Sequence, residues 1–284
     1  MNRIDIDILL CPECSGSISK IGTLLKCNNC SKEYEIKNGK IYFVNYITKV
    51  KKGNEILDFL RPILKKTGKF YYLLIYLFSP VCPSDFKRKY IDKYIKGNNS
   101  VIALNIGSAN SKLIENIINL DILPYANVDI LADINKLPFK DDTIDSIICE
   151  AVLEHVRYPQ KVVKECFRVL KKNGTFYVSV PFICGFHASP DDYFRWTEEG
   201  LKELMSDFEV IRLEPVGGPT SALLWVFSEW LAIVFSFGNI SVRQILFLIF
   251  SVLSSPFKFL DIILKKHPSA KNISFSFGMI VRKK

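Results

Sequence analysis

The chain has 284 residues, 49% of them apolar, enough for one large domain with additions or for two domains, and a disordered polymer is excluded. Lysine and arginine outnumber aspartate and glutamate by 38 to 29, a net charge of +9, which suits nucleic acid, anionic lipid or a phosphorylated substrate without separating them. The run MNRIDIDILLCPEC carries acids and cysteines where a secretory leader needs an unbroken apolar stretch, so a cytoplasmic location with reduced thiols is expected.

Four of the eight cysteines, Cys11, Cys14, Cys27 and Cys30, are spaced C-x2-C-x12-C-x2-C. Thiolates three residues apart on a tight turn take two corners of a tetrahedron, and a second such pair closes it, so a structural Zn2+ with no open position is expected. The segments between and after them alternate like short strands around turns at Gly22 and Asn38-Gly39, which predicts a zinc ribbon over residues 1–45. A ribbon that has lost its metal and a pair of disulfides are the two other outcomes of the same spacing. Cys82, Cys149, Cys166 and Cys184 stand singly among apolar residues, as packing residues do.

Residues 46–100 read as a helical connector. EILDFLRPILKK, KFYYLLIYLF and FKRKYIDKYIKGNNS predict two or three helices, and KFYYLLIYLF is too short to span a bilayer. From residue 101 the pattern alternates. VIALNIG, INLDI, TIDSIICEAV and GTFYVSVPF read as strands, and YPQKVVKECFRVLKKNG reads as a helix with Val162, Val163, Cys166, Phe167 and Leu170 on one face and Gly174 as its stop. Such alternation predicts an α/β fold with a doubly wound, mostly parallel sheet, whose ligands bind beyond the carboxyl ends of the strands.

The motifs LNIG, VDILADINKLPFKDDTIDSIICEAVLEHV and FRVLKKNGTFYVSVPF, within Val101 to Val216, resemble the class I S-adenosylmethionine-dependent methyltransferases. The resemblance is to the broad type 11 group that includes small-molecule and quinone-methylating enzymes. It implies a seven-stranded sheet over residues 101–284 and S-adenosylmethionine as cofactor. The family's glycine-rich loop becomes Gly107-Ser108-Ala109-Asn110, and the acid usual two places before the glycine is Asn105. The resemblance assigns Asp121 to the ribose hydroxyls, Asp133 to the adenine amino group and Ile134 to the ring face. Asn105, Gly107, Ser108, Asn110 and Glu150 complete the cofactor-binding set. Only 14 residues separate Gly107 from Asp121, so the helix between them must be short.

After the fourth strand, FICGFHASPDDYFRWTEEGL gathers polar and aromatic residues where an acceptor would sit. His187, as general base, and Asp192 are the candidate catalytic residues, although Asp192 and Arg195 could simply pair to hold the loop. Between FEVIRLEPV and ISFSFGMIVRKK, the sixth and seventh strands, lies an insertion over residues 217–272, apolar almost all round and hanging over the active-site side. A ribbon before this domain also resembles an arrangement in prokaryotic methyltransferases of unknown or polysaccharide-related substrate. The expected activity is O-methylation of a glycan or lipid-linked acceptor, by a protein peripheral to the inner face of the cell membrane. Ribosomal RNA methylation and a non-catalytic scaffold with a degenerate cofactor site are the alternatives. The apolar helices could also form a homodimer.

Overall fold

The computed structural model describes residues 4–44, 69–98, 100–111, 113–187 and 191–284. The helix expected over EILDFLRPILKK lies outside them.

Strands β5 (Ala103–Ile106), β6 (Ile117–Asp121), β7 (Ile130–Leu131), β8 (Ile144–Glu150) and β9 (Leu170–Pro181) are mutually parallel. β10 (Phe208–Gly217) and β11 (Ser276–Lys283) complete the order β7-β6-β5-β8-β9-β11-β10, with β11 antiparallel to both neighbours. Strands buried on both faces need apolar residues at every position. β5 and β6 are buried at every position, apolar except for Asn105 and Asn119, which pair with each other, and Asp121 at the strand end, and helices cover both sides. Helix α2 (Phe86–Tyr94) lays Phe86, Tyr90 and Ile91 on Ile148, Tyr177 and Ile280. On the other face α3 (Pro159–Val169) and α4 (Glu198–Leu204) bring Val162, Val163, Cys166 and Leu201 into the larger core. Thr197 caps α4 by accepting from the Gly200 amide at 3.1 Å, as the Thr-Glu-Glu sequence implies.

Two expected boundaries move. The amphipathic helix ends at Val169, and Gly174 lies inside β9, where the backbone swells between the Ile144–Leu170 and Ser146–Thr175 pairs. A side chain at Gly174 would collide with the Lys171 carbonyl, and Asn173 sits at φ 64°, so the glycine serves a bulge and not a helix stop. No helix forms between β5 and β6 among the described residues. Ten residues, 107–116, are too few for turns and a helix together.

The ribbon strands β1 (Ile18–Ile21), β2 (Leu24–Cys27), β3 (Glu33–Lys37) and β4 (Lys40–Tyr42) form a meander, with Gly22, Asn38 and Gly39 at positive φ in its turns. β4 pairs in parallel with β7, so the ribbon extends the main sheet to eleven strands. Lys40 reinforces the joint by donating to the carbonyls of Tyr125, Ala126 and Val128 at 2.5 to 2.9 Å. Leu9, Leu25 and Ile41 share one core with Ile130 and Leu137, so the described ribbon residues pack against the sheet they precede.

The insertion folds as a hairpin of α5 (Pro219–Ser236) and α6 (Ile240–Ser254), followed by α7 (Asp261–Leu264). Ser228, Ala232 and Ser236 recur every four residues on α5 and are buried, and Ser228 Oγ lies 3.3 Å from Ser254 Oγ. Small residues let the helix backbones approach closely. Glu229 and Arg243, the only charged residues between 219 and 254, pair with each other across the hairpin. Lys258 is buried and donates to the Leu77 and Ser79 carbonyls at 3.1 and 2.8 Å, capping the last turn of α1 (Lys69–Phe78). It therefore does not reach outward toward headgroups, a role that its place in a basic, apolar segment suggests.

Asp261 fixes the root of the hairpin. Its carboxylate accepts from the Thr220 and Ser221 amides at 2.8 and 2.9 Å and from Ser221 Oγ at 2.6 Å. Gly218 makes room for it, since a Cβ there would stand 2.4 Å from Asp261 Cγ. Replacing Asp261 with alanine strands two buried amides and removes a negative charge from a helix N-terminus. Urea denaturation of Asp261→Ala should show a loss of about 1 to 3 kcal/mol.

Candidate functional site

The carboxyl ends of β5 to β9 form one edge, and the candidate cofactor residues are distributed along it. Asp121 ends β6, buried to 7% exposure. Burial raises its carboxyl above the usual carboxylate range, against the pull of neighbouring backbone amides. Its oxygens accept from the Ala109 amide at 2.8 Å and the Leu123 amide at 2.9 Å. Each carboxylate oxygen has a second lone pair, so these bonds leave acceptor capacity for a diol. Asp133, exposed two residues beyond β7, accepts from the amide and side chain of Asn135, both at 2.8 Å, and Ile134 packs half-buried beside it. Glu150 ends β8, exposed, in an ion pair with Lys87 of α2.

The loop after β5 departs from its expected roles. Gly107 is at φ 63°, and a Cβ there would stand 2.4 Å from a Val152 methyl, so the missing side chain makes room for Val152 and not for a ligand. Asn105 is buried within the sheet and donates to Asn119 Oδ1 at 3.0 Å, so it ties β5 to β6 and does not face a cofactor. Asn110 bridges to the next loop, accepting from the Ala126 amide at 3.0 Å through its side chain and from Asn127 Nδ2 at 2.8 Å through its carbonyl. Ser108 Oγ is buried and has no hydrogen-bond partner among the described residues. An orphaned hydroxyl beside a carboxylate with spare lone pairs fits a ligand rich in hydroxyls and amines, as S-adenosylmethionine is. Removal of the Asp121 carboxylate takes away a charged acceptor from that ligand. Calorimetry on Asp121→Ala should show affinity for S-adenosylmethionine weakened by about 1.5 to 3 kcal/mol, with Asp133→Ala affected less.

The segment after β9 is organised by Arg195. Its guanidinium donates to both oxygens of Asp192 at 2.6 Å, to the Cys184 carbonyl at 3.0 Å and to the Gly185 carbonyl at 2.9 Å. Asp192 also accepts from the His187 amide at 2.8 Å. Burial alone would raise its carboxyl, but Arg195 and that amide hold it below the usual range. Asp192 is therefore a positioning residue that ties the loop, and its assignment as catalytic is corrected.

His187 is equally engaged. Nδ1 lies 3.1 Å from the Gly185 carbonyl and 3.9 Å from Cys184 Sγ, and Nε2 lies 3.6 Å from Glu154 Oε1. Contacts with Cys184 and Glu154 raise its imidazole to about 10, far above the value a base near neutrality needs. As it stands the ring is a group held by its neighbours, not a free proton acceptor. Its partners Glu154 and His155 come from the turn after β8, in the LEHV motif, and their convergence on His187 is not legible from a separation of more than thirty residues.

In the ribbon, the sulfurs of Cys11 and Cys30 are 3.7 Å apart and those of Cys14 and Cys27 3.4 Å, and all four lie within 4.8 Å of one another. Zinc–sulfur bonds of about 2.3 Å put tetrahedral ligands about 3.8 Å apart. The four thiols are free and fit that cage, so the disulfide outcome does not apply. The Gly16 amide holds Cys14 down at about 6. At Cys30 the Lys32 amide lowers the thiol, but the sulfurs of Cys14, Cys27 and Cys11 outweigh it and push it up to about 12, so a cation is needed for four thiolates to coexist. Protein purified without added metal should contain about one zinc per chain by atomic emission. Cys27→Ser with Cys30→Ser should lose that zinc and the ribbon's folded signal together. A cavity of about 380 Å³ lies between the ribbon and α3, lined by Leu10, Lys136, Glu165 and Arg168. Of the candidate residues it touches only Cys11.

A family model described as a methyltransferase domain matches residues 86–178. An uncharacterized protein of Methanocaldococcus jannaschii is 49% identical over 51 residues, which are 18% of this chain and 22% of that protein. A probable S-adenosylmethionine-dependent methyltransferase of Mycolicibacterium smegmatis is 40% identical over 58 residues, 20% of this chain and 23% of that one. The chain thus matches less than a quarter of the length of these curated relatives. Among solved structures, the [4+2]-cyclase SpnF aligns over 78% of this chain and 96% of its own, at a TM-score of 0.45 and 16% identity. The matched segment contains β5 to β8 and most of β9, with Asp121, Asp133 and Glu150 on its carboxyl edge, so this part of the chain is similar to a methyltransferase domain of the S-adenosylmethionine-dependent type.

Proposed function

We propose that the protein transfers a methyl group from S-adenosylmethionine to an oxygen of a glycan or lipid-linked acceptor, working from the inner surface of the cell membrane. When bound, the cofactor supplies an already activated methyl group, so the protein's part is chiefly to position the acceptor and exclude water. Asp121, Asp133, Ser108 and Glu150 are the residues available to hold it. Arg195 and Asp192 shape the loop beside it on which an acceptor would rest.

The observation that carries the membrane reading is where the apolar hairpin stands. α5 and the stretch Ile240–Leu264 are each long and apolar enough to cross a membrane by length and composition. Only 39% and 22% of them are buried against the protein. Leu223, Trp230, Ile233, Phe237, Ile240 and Leu253 are exposed, forming a larger apolar surface than an unpartnered soluble domain ordinarily presents. The root of the hairpin touches the acceptor loop, since Trp225 packs over Gly185, where a Cβ would come within 2.9 Å of its ring nitrogen. α5 is about 27 Å long at 1.5 Å per residue, and the Glu229–Arg243 pairing removes the cost of two lone charges. A hairpin lying in or dipping into one leaflet would hold the acceptor loop at the lipid surface. RNA is disfavoured as acceptor because this flank of the site is apolar, where a phosphate backbone calls for lysine and arginine.

Flotation decides this reading. Full-length protein should rise with vesicles containing anionic phospholipid, and protein lacking 218–271 should stay at the bottom of the gradient. Full-length protein that stays at the bottom as a monodisperse dimer would replace the membrane with a second copy of the chain.

A further inference from the structure

We propose that Glu154, His155 and His187 form a second metal site, which takes a divalent transition-metal ion between the turn after β8 and the loop after β9. Nε2 of His187 lies 3.6 Å and Nε2 of His155 lies 3.9 Å from Oε1 of Glu154. The three ligand atoms all fall within 4.8 Å of one another. Nitrogen and oxygen ligands at about 2.0 to 2.1 Å from a tetrahedral ion are about 3.3 Å apart, so a small inward shift completes the arrangement.

The outer partners of the two imidazoles determine where their protons sit. A carbonyl oxygen can only accept, so Nδ1 of His155 donates to the Asp191 carbonyl at 2.6 Å and Nδ1 of His187 donates to the Gly185 carbonyl at 3.1 Å. With Nδ1 keeping its proton, each Nε2 can offer a lone pair to a metal ion that displaces whatever proton it holds in the metal-free protein. Both face Glu154, whose side chain is fully buried at 0% exposure, and neither of its oxygens has a hydrogen-bond partner among the described residues. A buried carboxylate facing two ring nitrogens calls for a cation between them, either a proton on Nε2 or a metal ion. Arg195 does not stand between them: it approaches the His187 ring at Nδ1, with Nη2 at 3.4 Å, and its other hydrogen bonds go to Asp192 and to the Cys184, Gly185 and Phe194 carbonyls.

Carbonyl groups that fix a histidine tautomer are the usual outer shell of a metal ligand. Two imidazoles and one carboxylate suit zinc, cobalt, nickel or ferrous iron better than magnesium or calcium, and three protein ligands leave a position open. The turn and the loop both leave the carboxyl edge of the sheet, so an ion there would offer its open position to a water or to an acceptor oxygen, whose acidity it would raise. That role rests on the methyl-transfer reading; the site itself does not.

The test is titration of Co2+ into full-length protein whose ribbon is already loaded with zinc, with no S-adenosylmethionine present. One equivalent should bind, with a visible spectrum of nitrogen and oxygen ligands and no thiolate-to-cobalt charge-transfer band. His155→Ala and His187→Ala should each weaken uptake by about 100-fold or more, and Glu154→Gln by about 10-fold or more, with thermal melting retained. Should the alanine variants fail to fold, the spectrum of the wild-type complex alone decides. The proposal is overturned if zinc-loaded wild type takes up no cobalt; NMR then finding His187 as an imidazolium would make a proton the resident cation. It is also overturned if the bound cobalt carries the thiolate band. Because cofactor calorimetry is a separate measurement, loss of the donor reading and loss of the metal site are told apart.

Discussion

β11 runs against both of its neighbours, and most of what is particular to this protein follows from that reversal. A parallel strand would have to be re-entered from the amino edge, but an antiparallel one starts where its partner ends. Gly217 pairs with Ser276, and Ser276 with Pro181, so the chain leaves β10 and enters β11 at the carboxyl edge. Everything between these points is delivered beside the site. The pairing continues past the strand ends, with the Phe182 and Ile183 amides donating to the Phe275 and Ser274 carbonyls at 2.9 and 3.1 Å. The start of the loop after β9 is thereby bound to the end of the insertion, and Trp225 packs over its next turn.

The hairpin is held by electrostatics at helix ends rather than by a large core of its own. Asp261 stands at the amino end of α5 and Lys258, three residues earlier, at the carboxyl end of α1. Each places a charge where the helix dipole favours it, and both are buried, so solvent does not screen them. The small residues on the contact face spare the outer face for large apolar side chains. This division gives a helix pair whose buried positions are mostly Ser and Ala, with Leu224 and the Trp225–Phe247 contact, and whose outside is rich in Phe, Trp, Ile and Leu.

At the site itself the protein uses its charged groups in two different ways. Asp192 and Arg195 satisfy each other almost completely and act as a clamp on the loop. Glu154 is the opposite case, since its backbone carbonyl accepts from the Tyr193 amide at 2.7 Å while its buried carboxylate is left facing two imidazoles. A satisfied pair specifies shape, whereas an unsatisfied buried charge calls for a further cation.

The four-cysteine spacing, the alternation of strand and helix, the acids at Asp121 and Asp133 and the apolar insertion were all legible in the sequence, because each is a local signal: ligand spacing, hydrophobic period or a polar residue ending an apolar run. Local pattern also located the turns at Gly22 and Asn38-Gly39 and the Thr197 cap. It misjudged Gly107 and Gly174, since what a missing side chain makes room for is a neighbour distant in sequence, Val152 in one case and the Asp145–Lys171 backbone in the other. It left Asn105 at the cofactor and Asp192 in the chemistry, although pairing with Asn119 and Arg195 gives them structural work. The union of the ribbon with the sheet, the Glu229–Arg243 pair and the meeting of Glu154, His155 and His187 were decided by tertiary structure alone. Each brings together residues whose separation along the chain carries no signal, and only the packing of complete elements determines which of them meet.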